Sequence, residues 1–162
     1  MAITKEKKQS IVATFSDIVA GANSIAFVQF DKLTVADASS LRRALRAAGV
    51  GYKVGKKTLL KRVLAEKGYT GELPELTGEI AIAYGTDALA PIAEVYNFQK
   101  THKGIITLVG GVFEGSYKNK EEIMVIATIP PLQTLRGMFV NIINSPIQRF
   151  VIALDQIAAK KA

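Results

Sequence analysis

LRGMFVNIINSPIQRFVIALDQIAAKKA, residues 135–162, has helical spacing but more apolar surface than a tail facing water needs. Leu135, Met138, Phe139, Ile142 and Ile143 recur at i, i+3, i+4, i+7 and i+8, the spacing of one helix face. Phe150, Val151, Leu154, Ile157 and Ala158 repeat the pattern. Phe139-Val140 aligns with Phe150-Val151, and Ile142-Ile143-Asn144 aligns with Ala153-Leu154-Asp155, at an offset of eleven residues. That offset is close to three helical turns, so the second copy faces roughly the same way about 16 Å further along. A doubled apolar footprint on one rod points to a partner bound twice.

Upstream of this rod the chain changes character at Pro130-Pro131. Proline does not continue a helix inward but opens the next one, so the boundary is placed there. The expected organisation is a globular domain over residues 1–129 and a helical tail over 130–162. Pro146 either starts a new helix within the tail, with Ser145 capping it, or kinks one continuous rod.

The globular part reads as strands interleaved with helices. Thr4 is positioned to cap a helix to about residue 19, with Ile11, Val12, Phe15, Ile18 and Val19 on one face. Lys5, Lys7 and Lys8 stand in its first turn, where the helix dipole disfavours cations. A strand over 24–30 follows. Thr34 then starts a helix ending at Gly49, with Leu41 and Leu45 inward and Arg42, Arg43 and Arg46 as a basic stripe. A short strand at 51–55 leads into a third helix to about 67. Further strands are expected at 79–84 and from 105, with Gly110-Gly111 permitting a bulge before Val112-Phe113. Asp87 is expected to cap a helix over 88–101, and Asn119 a short one to about 126. The fold class is therefore α+β: a mixed sheet of about four strands covered by helices, with a protruding C-terminal helix.

Charge locates the chemistry. The net charge is +7. Residues 1–62 carry twelve Lys/Arg against four Asp/Glu, residues 63–134 five against nine, and the tail four against one. A basic excess confined to the first part of the chain points to a polyanion, most simply nucleic acid. It peaks where Gly51-Tyr52-Lys53-Val54-Gly55 turns into Lys56-Lys57-Thr58. A helix N-terminus offers unpaired N–H groups and positive dipole, and Lys53, Lys56, Lys57, Lys61 and Arg62 add side-chain charge suited to phosphates. The glycine spacing is not that of a Walker motif.

Other classes fare worse. There is no cysteine, which removes disulfides and thiolate metal sites, and only one histidine. His102 lies in a polar helix end and reads as a surface residue near a helix C-terminus. The carboxylates Glu66, Glu72, Glu75 and Asp87 show no paired spacing. No catalytic residue, metal or cofactor is expected. The N-terminus lacks an apolar signal segment, and no run of eighteen apolar residues exists. Residues 137–154 come nearest but carry Asn141, Asn144, Pro146 and Arg149. A membrane-surface helix would need a better polar face. The general alternative is a nucleic-acid-binding domain whose C-terminal helix serves oligomerisation.

Four motifs in order carry a family resemblance. They are Phe27-Val28-Gln29-Phe30 followed by Leu33-Thr34-Val35, Leu41-Arg42-Arg43-Ala44-Leu45-Arg46-Ala47-Ala48-Gly49-Val50, Tyr52-Lys53-Val54-Gly55-Lys56-Lys57-Thr58-Leu59-Leu60, and Ile126-Ala127-Thr128-Ile129-Pro130. Together they resemble the bacterial large-subunit ribosomal protein L-ten family, the base of the ribosomal stalk. The resemblance implies a non-catalytic, cytoplasmic role on the large subunit. It implies that the N-terminal domain binds large-subunit rRNA beside ribosomal protein L-eleven. It further implies that the tail carries dimers of the acidic stalk protein L-seven/twelve, here two, which recruit translational GTPases. Carried over by position, Lys53, Lys56, Lys57 and Thr58 fall in the rRNA-facing region, extended to Lys5, Lys8, Arg42, Arg43 and Arg62. Leu135, Met138, Phe139, Ile142 and Ile143 fall in the first stalk-dimer module, and Phe150, Val151, Leu154 and Ile157 in the second. Two departures stand out: Lys57 where the family usually has Asn, and Gly78-Glu79 where it often has Gly-Pro. Lysine accepts no capping hydrogen bond, so either Thr58 caps the third helix or the turn differs.

Overall fold

The computed structural model describes residues 4–31, 33–102, 104–130 and 132–161. Lys103 and Pro131 therefore lie outside the described residues. The chain divides into two units, Met1–Ile129 and Pro130–Ala162.

Among the described residues the first unit has ten elements, beginning with α1 (Lys5–Gly21), β1 (Ser24–Phe30), α2 (Val35–Ala47), β2 (Gly51–Val54) and α3 (Lys57–Lys67). It continues with β3 (Glu79–Gly85), α4 (Ala90–Thr101), β4 (Ile106–Phe113), β5 (Ser116–Asn119) and α5 (Lys120–Ala127). The strands form one sheet in the order β2-β3-β1-β4-β5. Every pairing of these strands is antiparallel, with one isolated parallel bridge, Thr70 to Ser116. The α+β class holds, but the sheet is antiparallel rather than mixed and has five strands rather than about four. The added strand, β5, is short and polar and returns from β4 through Glu114-Gly115. Both turn residues have positive φ (49° and 76°), the backbone that two-residue hairpin loops require.

Helices cover both faces of the sheet, so β1 reads as a continuous apolar run instead of an alternating one. Ile25 and Phe27 enter one core with Phe15, Val19, Leu60, Val63 and Leu64 from α1 and α3. Ala26 and Val28 enter the other with Leu41 and Leu45 of α2, Ile92 and Val95 of α4, and Ile123 of α5. In β4 the parity changes along the strand: Ile106 and Leu108 join the α2/α4/α5 core, whereas Val112 joins the α1/α3 core. The register explains it, because Phe27 pairs with Gly110 and Val28 with Leu108, leaving Val109 as an extra residue. One inserted residue flips every later side chain to the other face, so the bulge lets one strand serve both layers.

The caps are only partly those expected. Thr34 Oγ1 accepts from the backbone N of Asp37 at 3.2 Å, and Gly49 takes φ 71° beyond α2. Glu122 Oε2 accepts from the backbone N of Asn119 at 3.2 Å, one half of a capping box on α5. Thr4 occupies the N-cap position of α1 but makes no side-chain cap bond. Asp87 does not cap α4: the cap position falls to Leu89, and Asp87 Oδ1 accepts from Leu89 N at 3.3 Å in the preceding turn.

The second unit is α6 (Leu132–Lys161), a 30-residue helix with Pro146 inside it. Helix continues on both sides of Pro146, so this proline does not start a separate helix. It removes the one N–H that would have bonded the Ile142 carbonyl.

Candidate nucleic-acid interface and partner helix

The tightest feature of the basic surface is the turn from β2 into α3. Gly55 sits where a Cβ would overlap the ring of Phe15, a residue only 1% exposed. Glycine therefore lets the turn close onto α1. The N-cap of α3 is Lys56, with no side-chain cap bond, and Leu59 N and Leu60 N both bond its carbonyl at 3.0 and 3.2 Å. The two alternatives expected for the cap are thus resolved: Thr58 lies inside the first turn and does not cap. The start of α3 presents lysines at positions 56 and 57 beside a helix N-terminus without a capping side chain, an electrostatic setting that favours anions. Lys56, Lys57 and Thr58 line a shallow cavity of about 380 Å³ that also includes Gly78 and Glu79.

Two further grooves flank this turn. Between α1 and α3, Lys5, Lys8 and Arg62 line a groove of about 540 Å³ floored by Val12 and Leu59. Arg62 Nε donates to Glu66 Oε1 at 3.3 Å, but both side chains are largely exposed, so the pair is weak and Arg62 remains available. Along the free edge of β2, Arg42, Arg46 and Lys53 line a groove of about 490 Å³ with Tyr52 and Tyr84. Val54 lines both this groove and the turn cavity, so the two adjoin there. The expected RNA-facing residues thus fall into three adjoining groups around β2 and α3. Arg43 is exposed but lines none of them. Arg46 was legible as part of the α2 stripe but not among the expected contacts, and its spacing of i+4 from Arg42 is the signal that places it on the same wall. Tyr52 opens one of the four family motifs and Tyr84 closes an expected strand, but neither was singled out as a contact.

The Arg42 guanidinium lies 6.0 Å from the Tyr52 ring centroid, the outer limit of a cation–π contact. Burial raises the Tyr52 phenol above its ordinary range, and the Arg42 charge opposes that shift. The phenol oxygen is sealed from solvent and has no hydrogen-bond partner among the described residues. His102 departs from its expected surface setting. Its ring stacks on Phe98 at 4.1 Å, and Nε2 stands 3.9 Å from Asp37 Oδ1, so it packs between α4 and α2. Among the described residues no cluster of three His, Asp or Glu side chains is placed to hold a metal ion.

The α6 helix presents every expected module residue to solvent: Leu135, Met138, Phe139, Ile142 and Ile143, then Phe150, Val151, Leu154 and Ile157. Val140, Ile147 and Ile152 are exposed as well and add to the apolar surface. At 100° per residue, Asn141, Asn144, Gln148 and Asp155 fall within about 60°, and Ser145, Gln156 and Arg149 extend that polar side to about 140°, interrupted by Ile152 and Met138. The exposed apolar residues nevertheless outnumber the polar ones along α6, a composition that suits a covered surface. By length and composition alone, Gln133–Lys160 is also long and apolar enough to cross a bilayer. Asn141, Asn144, Gln148 and Arg149 near its midpoint make that environment costly.

The chain is similar in sequence to known proteins. The sequence model of the family described as Ribosomal protein L10 matches residues 3–100. The large ribosomal subunit protein uL10 of Shouchella clausii is 35% identical over 156 residues, covering 96% of this chain and 94% of the relative. The uL10 proteins of Bacillus cereus and Bacillus anthracis are likewise 35% identical, over 163 and 158 residues, covering 99% and 96% of this chain and 97% and 94% of theirs. With a family match over most of the globular unit and relatives aligned from end to end, the chain belongs to the ribosomal protein L10 family.

Proposed function

We propose that this chain is a structural constituent of the large subunit of the cytoplasmic ribosome that joins rRNA to the acidic stalk protein. Family membership supports the ribosomal role, which is architectural and not catalytic. The first unit binds large-subunit rRNA through the three basic grooves around β2 and α3, beside ribosomal protein L-eleven. The second unit holds two dimers of the stalk protein L-seven/twelve, one on each eleven-residue module, and through them serves translational GTPases.

The single observation that carries this reading is the pairing of chemistries in one chain. Arg42, Arg46, Lys53, Lys56, Lys57 and Arg62 line three grooves around β2 and α3 of the sheet domain. The separate 30-residue helix leaves two large aromatic and aliphatic sets uncovered. Cations in shallow grooves suit phosphates, and a long apolar helix face suits a groove on another chain.

Titration of the full chain with stalk-base rRNA at rising salt tests the first half. Each phosphate contact releases counterions, so log K falls linearly with log salt, with a slope of roughly −0.7 to −0.9 per contact. A flat salt response would exclude the lysine-rich grooves as the binding surface.

A further inference from the structure

We propose that the groove along the free edge of β2 is a binding site for one unstacked nucleotide of the RNA partner, with its base against the Tyr52 and Arg42 faces and its phosphate between Arg46 and Lys53. This inference rests on the RNA-binding reading above and sharpens it from a charged surface to a site for a single nucleotide.

The groove differs from the other two basic surfaces in composition. Among the described residues its lining holds three cations, two tyrosines and no carboxylate. The α3 turn cavity includes Glu79, and the α1/α3 groove includes Glu66. Its volume of about 490 Å³ lies within the roughly 300–1,000 Å³ of small-ligand pockets. The walls come from both faces of the sheet. Tyr52 pairs across the strands with Ala83 and packs on the α2 side. Tyr84 pairs with Gly51 and belongs to the α1/α3 side. A Cβ at Gly51 would overlap the Tyr84 ring, so glycine lets that ring lie against the strand and shape the groove floor.

Duplex RNA hides its base faces and shows mainly phosphates and hydroxyls, for which lysines on an open surface suffice. Aromatic rings and guanidinium planes gain stacking energy only from a base that has left its helix. The Arg42 guanidinium lies over the Tyr52 ring at 6.0 Å from its centroid, a loose contact, and the two together line one wall of the groove. β2 is an edge strand, paired among the described residues with β3 alone, and such an edge also fits an extended peptide. The three cations and the absence of a carboxylate favour the nucleotide.

The test uses the full chain and two RNA hairpins that differ only by one extrahelical 2-aminopurine. The expected result is that the bulged hairpin binds about tenfold tighter at matched ionic strength, with quenching of 2-aminopurine emission as it stacks. Tyr52→Leu and, independently, Arg46→Gln on the exposed wall of α2 should each reduce that preference below roughly threefold. Circular dichroism melts separate a lost preference from a lost fold, and Arg46→Gln keeps the test informative if Tyr52→Leu unfolds. Equal, salt-sensitive affinity for both hairpins without quenching overturns the nucleotide site, leaves the RNA-binding reading intact and returns the β2 edge to a peptide. Failure to bind either hairpin overturns the RNA-binding reading and the nucleotide site with it.

Discussion

Truncating Phe139 or Phe150 to alanine gives the sharpest view of how the helix works. Both side chains are 66% exposed on α6. Covering two-thirds of an aromatic surface of roughly 200 Å² removes about 130 Å² from water, or ~3 kcal/mol at ~25 cal/mol per Å². Alanine retains part of that area, so the expected loss is about 2 kcal/mol, roughly thirtyfold in Kd. The loss should fall on one module at a time. Phe139→Ala weakens the first dimer and leaves the second at its original affinity, and Phe150→Ala does the reverse. Calorimetric titration of the full chain with stalk-protein dimers reads both sites from one isotherm. The side chains contribute nothing to the sheet cores, so the unfolding midpoint of the first unit should not move. Loss of both dimers from either substitution would refute the two-module reading, and a change below threefold at both sites would remove the phenylalanines as contact residues.

Gly55→Ala places a methyl group into the fully buried Phe15 ring and should destabilise the first unit by about 1–3 kcal/mol, read by denaturant unfolding through tyrosine emission. A change under about 0.5 kcal/mol would mean that the turn closes onto α1 less tightly than the geometry indicates. Alkali should also weaken this unit. Burial raises the phenols of Tyr52, Tyr69 and Tyr117 above 10.0, and at Tyr117 the neighbouring Tyr69 adds to the shift. Folded pKa values above the unfolded ones mean stability that is full below pH 10 and lost as pH rises through the folded values. Urea unfolding across that range should show falling stability, with a shallower fall in Tyr69→Phe, and a flat profile would count against the burial of these rings.

What the sequence revealed followed from period and punctuation. The run Ser24–Phe30 was legible as a buried strand because its neighbours on both faces are apolar, and the structure assigns those bounds to β1. Thr34 and Gly49 marked α2 because their chemistry is local. Where local signals competed with tertiary packing, they misled. Asp87 looked like a cap, but Pro91 near the helix start and the αR backbone of Leu89 set the beginning of α4 two residues later than expected. β5 has four residues with a polar pattern and depends on pairing with β4, so only the Glu114-Gly115 loop could have announced it. The basic residues were visible as a population but not as three grooves. Which wall Arg43 leaves and Arg46 joins depends on how α2 lies against β2, and no short-range pattern encodes that. The doubled module of α6 was the most legible feature, since an eleven-residue offset on a helix needs no tertiary information. Ile147 and Ile152 were missed because they lie off that repeat, and Val140, the counterpart of Val151, lies on it but was left out of the first contact set.

Joining rRNA to the stalk protein is the central claim, and native mass spectrometry of the full chain reconstituted with stalk-base rRNA and acidic stalk protein tests it most directly. The predicted species holds one chain, one RNA and two stalk-protein dimers, all present together. A complex with one or three dimers, or one in which the dimers and the RNA displace each other, would contradict it.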